Sequence, residues 1–393
     1  MNANDFQAPA AGRLVAAPGG HLAFVPAPLP PPLEFSPELA LLLSRADAAL
    51  GELSGSGRLL PNPHLLIAPY LRREAVLSSR IEGTLTALPE LLLDEAAHEG
   101  VPRDLPEDLR EVRNYVAALE YGVQRLAELP LSLRLVRELH ERLMRGVRGD
   151  RATPGEFRRT QNWIGPPGST LATAVYVPPP PGELEATLAA WERFLHDRGG
   201  LPDLVQCALM HEQFEAIHPF VDGNGRVGRL LIPLFLMERQ RLSQPLLYLS
   251  VYLESRRGEY YEALQRVRTR GDWTGWLAFF LRGVEQTARA ALVQAGELVD
   301  LREGLRERLR DKPRLLPLVD ALFENPYLKA VRAQQVLGVS NPTAQAAVRL
   351  LQERGILSEV TGRQWGRLFL ARAVLAAIDV PLVEGGPTAS APS

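Results

Sequence analysis

Cysteine is almost missing from this 393-residue chain. Cys207 is alone, which excludes an internal disulfide framework. It lies on an apolar helical stretch, where packing is expected rather than nucleophilic chemistry. Lysine is nearly as scarce. Lys312 and Lys329 stand outside any Gly-x-x-x-x-Gly-Lys context, so a P-loop nucleotide site is excluded. The net charge of −2 gives no global attraction to nucleic acid or to a membrane surface. No apolar run reaches the ~20 residues of a membrane span. The N-terminus lacks a basic segment followed by an apolar stretch, so no secretory signal is expected. These absences lead us to expect a cytoplasmic protein with no membrane partner. Its length predicts two or three domains.

What is present is concentrated in His218-Pro219-Phe220-Val221-Asp222-Gly223-Asn224-Gly225-Arg226-Val227-Gly228-Arg229. Residues 203 to 217 read as an amphipathic helix, and a second apolar helix starts near Arg226. The run between them is a tight loop opening onto a helix N-terminus, where unpaired N–H groups attract phosphate oxygens. Gly223 and Gly225 carry no Cβ, so backbone amides can approach an anion closely. Arg226 and Arg229 share one helical face and can grip successive phosphates. Asp222 is a hard oxygen ligand suited to magnesium. His218, at the end of the first helix, has an unperturbed pKa of roughly 6.5, matched to accepting a hydroxyl proton.

This run resembles the signature of the Fic family, His-Pro-Phe-x-Asp/Glu-Gly-Asn-Gly-Arg-x-x-Arg, at every fixed position. Family members typically transfer AMP from ATP to a Ser, Thr or Tyr hydroxyl of a target protein. The resemblance implies that His218 deprotonates that hydroxyl and that Asp222 holds Mg²⁺. It places the α-phosphate on Asn224 and the loop amides, the β-phosphate on Arg226 and the γ-phosphate on Arg229. Phe220 becomes a buried anchor for the loop. Glu156-Phe157-Arg158 and Asn162-Trp163-Ile164-Gly165, leading to Tyr176-Val177-Pro178, resemble the family's target-binding flap, a short hairpin over the site. Tyr260 and Tyr261 resemble the pair lining the base pocket. Some relatives have an asparagine seven residues after that pair, where this chain has Arg268.

Upstream, Ser78-Ser79-Arg80-Ile81-Glu82-Gly83 resembles the family's inhibitory motif. Residues 74 to 82 read as helix, with Gly83 as its C′ residue. The resemblance implies that Glu82 pairs with Arg229 and displaces the γ-phosphate. The chain is therefore expected to be an autoinhibited protein adenylyltransferase acting on a target protein or itself. Relatives that remove AMP use the same residues, so that direction stays open. A nucleotide-sensing DNA-binding regulator is a different class of reading. A metal hydrolase built from His211, His218 and Asp222 is a third, and lacks a further soft ligand.

The expected architecture is mainly α: an all-helical Fic core with a small β-hairpin flap, plus a C-terminal winged helix-turn-helix. Breaks in composition divide the chain into an N-terminal arm (1–36), a helical region with the inhibitory helix (37–128) and a catalytic domain (129–290). A linker helix with the winged domain (291–378) and a disordered tail (379–393) complete it. The Ala/Pro-rich arm is expected to have low order, with packing on the body as the alternative. A Gly/Ser break is expected after Leu53. In the winged domain Asn341, Thr343, Gln345 and Arg349 would face a DNA groove, with Arg363 and Arg367 on the wing. The opposing reading is protein docking or dimerisation. A homodimer is suggested only by the resemblance.

Overall fold

The computed structural model describes residues 1–59, 64–98, 104–147, 153–166, 168–362 and 366–380. The expected tail from 381 onward and Arg363 lie outside them. The chain divides into two compact units, Met1–Leu292 and Val293–Ser393.

The first unit opens with strands β1 (Gly12–Ala16) and β2 (Leu22–Pro26), an antiparallel hairpin with Leu14 opposite Phe24. The Ala/Pro-rich arm is thus ordered, which realises the alternative rather than the default expectation. Two backbone bonds tie it down, Phe24 N to Val177 O at 2.8 Å and Gln7 N to Thr269 O at 3.1 Å. Phe24 is buried and stands 6.1 Å from the Tyr176 ring. Helices α1 (Pro37–Leu59), α2 (His64–Ile81), α3 (Leu88–Ala97), α4 (Glu107–Arg125) and α5 (Leu133–Leu143) follow. The expected Gly/Ser break does not occur, and α1 continues through it. Gly57 explains part of this: a Cβ there would come within 2.8 Å of Leu246 Cδ1, so close packing uses the missing side chain.

Helices α6 (Pro181–His196), α7 (Asp203–Ile217), α8 (Asn224–Glu238), α9 (Ser250–Ser255), α10 (Arg257–Arg270) and the long α11 (Trp273–Glu307) come next. The unit boundary falls within α11. Helix α7 is the centre of the core and is buried on all sides, including Cys207. This corrects the amphipathic reading, because its polar residues meet internal partners instead of water. Gln206 donates to Phe194 O at 2.6 Å, while the indoles of Trp191 and Trp276 donate to carbonyls of α7 at 3.0 and 2.9 Å. Buried polar groups persist where such partners exist.

The flap is smaller than a hairpin. Ile164 and Tyr176 form one isolated antiparallel bridge, with Ile164 N bonded to Tyr176 O at 2.8 Å. Pro178, Pro179 and Pro180 have no N–H to extend a ladder.

The second unit contains α12 (Leu316–Glu324), β3 (Tyr327–Lys329), α13 (Ala330–Leu337), α14 (Asn341–Glu353), β4 (Ser358–Glu359), β5 (Leu368–Leu370) and α15 (Arg372–Ile378). Its strands form an antiparallel sheet in the order β3-β5-β4. Helix α13 starts only at Ala330, because the preceding Tyr327–Lys329 pairs with β5. Gly355, just past the Arg354 cap of α14, has a φ of 63° that suits a residue without a Cβ. Asn341, Thr343, Gln345 and Arg349 are exposed on α14, while Ala344, Ala347, Val348 and Leu351 are buried.

Candidate active site

His218 closes α7 in the left-handed region at φ 48°, ψ 61°. That conformation is uncommon outside glycine and is retained only where neighbours hold it. Two flap-segment residues hold it here. Arg158 Nε donates to His218 O at 2.9 Å and its Nη2 to Pro179 O at 2.6 Å. Asn162 Nδ2 donates to Phe220 O at 2.9 Å and His218 O at 3.2 Å. The resemblance marked this segment as the flap; its clamp on the His218 backbone came only with the fold.

The loop that follows is pinned from both sides. Phe220 is fully buried, with the His140 ring stacked on it at 3.7 Å and 5° between planes. His140 was not singled out by sequence reasoning, since it falls among apolar residues of α5 and reads as core. Gly155 N donates to its Nδ1 at 2.9 Å, so Nε2 carries the proton and donates to Asp222 O at 3.1 Å. Burial lowers the His140 pKa to about 4, which keeps that tautomer neutral.

Asn224 also serves the loop itself. Its Oδ1 accepts from Phe220 N at 2.8 Å and its Nδ2 donates to Phe220 O at 2.9 Å. These two bonds close the loop and use one of the two Nδ2 hydrogens. The first intrahelical bond of α8 runs from Val227 N to Gly223 O. The amides of Asn224, Gly225 and Arg226 therefore precede the ladder, as an anion site requires. Gly223 reaches φ 77° at the N-cap.

The two arginines are both buried, each beside a carboxylate. Arg229 Nε donates to Ser78 Oγ at 2.9 Å, and its Nη2 donates to Ser78 O at 3.0 Å and Glu82 Oε1 at 2.6 Å. The Arg229 side chain is 1% exposed and that of Glu82 34%. Burial raises the Glu82 pKa, but the Arg229 guanidinium, through its charge and its hydrogen bond, together with the charge of Arg226 outweighs it and the net shift is downward. Arg229 moves upward, burial opposing and Glu82 prevailing. Gly83 follows with φ 104°. The Glu82 carboxylate lies directly over the start of α8: a Cβ on Gly225 would collide with Glu82 Oε1 and come within 2.9 Å of Arg229 Nη1. Gly225→Ala is expected to push the Glu82 carboxylate, the free end of a flexible side chain, off Arg229 at little cost to the fold, so that its melting temperature stays close to that of wild type. A large drop in melting temperature would show that the space above α8 is more tightly filled than described. Arg226 Nη1 pairs with Glu111 Oε2 at 2.8 Å.

Asp222 is half exposed; its Oδ1 accepts from Gly223 N at 2.6 Å and lies 3.7 Å from Arg226 Nη2. Among the described residues no cluster of three His, Cys, Asp or Glu forms a metal site. One accessible carboxylate beside an anion cradle nevertheless fits Mg²⁺, which is commonly bound through one or two carboxylates plus substrate phosphates. The metal-hydrolase alternative fails at His211. Its Nδ1 meets Gly228 O at 3.0 Å and its Nε2 meets the Tyr260 hydroxyl at 2.9 Å, so both nitrogens are committed.

Of the expected base-pocket pair, Tyr261 is 42% exposed while Tyr260 is fully buried. Tyr260 supports Tyr261, with ring centroids 5.2 Å apart. Arg268 pairs with Glu212 at 3.3 Å and lies 4.3 Å over the Tyr176 ring. Trp163 and Ile164 border the flap bridge, with Trp163 42% exposed and its indole donating to Ser169 O at 3.0 Å. Gly165 leaves room for Ser169, whose Cβ lies 3.0 Å from where a side chain would begin.

The electrostatics of His218 overturn the simple expectation from its free pKa. Burial first, then the charges of Arg268 and Arg158, lower it to about 3, with Glu82 opposing. Its Nδ1 is buried without a hydrogen-bond partner. The imidazole is therefore neutral, and able to accept a proton, throughout the range above pH 5. Removing Glu82 withdraws the main charge that favours the imidazolium, so Glu82→Gly shifts His218 further down. A reaction that uses this imidazole as its base is expected to show no acid limb from His218 between pH 8 and pH 5.5. An acid limb near pH 6.5 that belongs to His218 would contradict this. Burial also raises Glu212 and Glu215 to about 7, beyond what their neighbouring arginines offset.

Residues 40–124 match the family model described as Fic/DOC family N-terminal, and residues 130–236 match Fic/DOC family. "Protein adenylyltransferase Fic" of Drosophila grimshawi is 30% identical over 213 residues, 53% of this chain and 40% of the relative. The protein of the same name in Drosophila erecta is also 30% identical over 213 residues, 53% of this chain and 39% of the relative. The chain thus spans about 40% of the length of these curated relatives. A crystal structure of a Fic family protein from Desulfovibrio desulfuricans G20 superposes with a TM-score of 0.56 at 22% identity, covering 87% of this chain and 98% of that one. That likeness concerns the fold. With both family models matched in order and the loop, helix start and arginine pair in place, the chain belongs to the Fic/DOC family.

Proposed function

We propose that this protein is an ATP-dependent protein adenylyltransferase restrained by its own Glu82. The observation that carries the reading is the Glu82 carboxylate itself: an anion stands over the N-terminus of α8 and on Arg229, where a terminal phosphate would bind. The names of the curated relatives support transfer of an adenylyl group.

In the active state the cradle amides and Arg226 hold the phosphates while Arg229 takes the γ-phosphate. His218 accepts the proton of a target hydroxyl. The hydroxyl oxygen bonds to the α-phosphorus as the bond between that phosphorus and the α–β bridging oxygen breaks. Pyrophosphate leaves, and AMP remains on the target. Mg²⁺, when held at Asp222, would offset phosphate charge. Incubation with isotopically labelled ATP and magnesium tests the reading by mass spectrometry. A covalent AMP adduct on this protein or on a lysate protein supports it; hydrolysis alone, in wild type and in an unlocked variant, would defeat it.

A second reading concerns the C-terminal unit. Its helices with a three-stranded antiparallel sheet and the exposed polar face of α14 support a winged helix that reads DNA. Against it stand the few cations on α14 and the pairing of Arg367 with Glu359 at 3.9 Å. A DNA mobility shift that disappears with Arg349→Ala would favour it.

A further inference from the structure

We propose that Glu111 is a positioning residue for the nucleotide's β-phosphate, acting through Arg226. The inference rests on the adenylyl-transfer reading. Glu111 lies on α4, 115 residues from Arg226, outside the loop and its helix. Its Oε2 accepts from Arg226 Nη1 at 2.8 Å and from Thr84 Oγ1 at 3.2 Å. The side chains of Arg226 and Glu111 are 3% and 8% exposed. A guanidinium has five N–H donors in a rigid fork. Glu111 takes one corner of it. The remainder is poorly satisfied: Nε is buried without a hydrogen-bond partner, and Nη2 has Met144 Sδ at 3.8 Å and Asp222 Oδ1 at 3.7 Å. A buried charge is retained when paired, and buried unsatisfied donors favour binding of an acceptor. Glu111 thus keeps Arg226 folded inward with donors left for phosphate oxygen on the side of the catalytic loop.

The contrast with Arg229 gives the assignment its sign. There, Nε and Nη2 are already taken by Ser78 and Glu82. Glu82 occupies the ligand's donors, whereas Glu111 leaves donors open. Removing Glu82 therefore admits nucleotide, and removing Glu111 loosens its grip. Thr84 stands two residues beyond Glu82, so Glu111 also anchors the segment that follows the locking turn.

The test measures calorimetric affinity for ATP, ADP and AMP in Glu82→Gly, with and without Glu111→Ala. Positioning of the β-phosphate predicts that ATP and ADP weaken tenfold or more. AMP, which has no β-phosphate, should change less than twofold. Glu111→Gln keeps the size and an acceptor oxygen; it should show the same pattern at smaller size, and it carries the test if the alanine variant does not fold. Equal losses for all three nucleotides, which a general structural role would produce, would overturn the assignment. Tighter ATP binding would overturn it too, making Glu111 a second lock. If Glu82→Gly alone prefers neither ATP nor ADP over AMP, the functional reading falls as well, which separates the two failures.

Discussion

Glu82→Gly is expected to raise adenylyl transfer, on the protein itself or on a target, by up to about a hundredfold. The expectation rests on competition for one guanidinium: Arg229 holds the Glu82 carboxylate, and on the proposed function a phosphate would take its place. A bias of about 2.7 kcal/mol toward the paired state leaves roughly one molecule in a hundred competent. A charge-assisted pair with one fully buried partner can supply that bias. Glu82 is 34% exposed, so solvent screening reduces the pair's contribution below that of a sealed one. The variant also leaves Arg229 buried with only the two Ser78 oxygens as close partners among those described above. ATP should consequently raise its melting temperature more than that of wild type. Rates of adduct formation by intact-protein mass spectrometry decide the matter. If Glu82→Gly labels no faster than wild type, the pair is structural and not a restraint.

His218→Ala is expected to lower transfer in the unlocked background by 10²- to 10⁴-fold, the range of a lost general base, with affinity for ATP changed less than about twofold. The fold predicts this separation. Arg158 and Asn162 hold the carbonyl of residue 218 and not its ring, so the loop retains its path without the imidazole. Alanine at φ 48° costs about 1–2 kcal/mol, which those contacts can absorb. Single-turnover transfer and equilibrium binding of ATP check the two halves. A variant that transfers normally would remove His218 from the chemistry; one that fails to bind would make it part of the cradle.

Much of the site was legible because its parts are neighbours in sequence. His218, Asp222, Gly223, Gly225, Arg226 and Arg229 share one turn and one helix start, so local backbone rules bring them together. Glu82 lies 147 residues from Arg229, and only resemblance to a known motif linked the two. His140, Arg158, Asn162 and Glu111 left little local signal. Three of them act on the backbone of distant residues and the fourth on a side chain 115 positions away, which no periodicity encodes. The N-terminal hairpin was missed for a similar reason: its Ala/Pro-rich composition reads as low order, and its docking against Val177 is a tertiary contact.

The amino-acid order by itself determined a helical chain with a candidate anion-binding loop, two arginines on one face and a candidate base beside them. Tertiary structure decided how those groups behave. Burial and surrounding arginines, none of them adjacent in sequence, turn His218 from an ordinary imidazole into one with a pKa of about 3. The same enclosure commits Asn224 to loop closure, hides Tyr260 and sets Glu82 against Arg229. Residue identity supplies the charges, but desolvation and Coulomb energy depend on which distant groups share a dry interior.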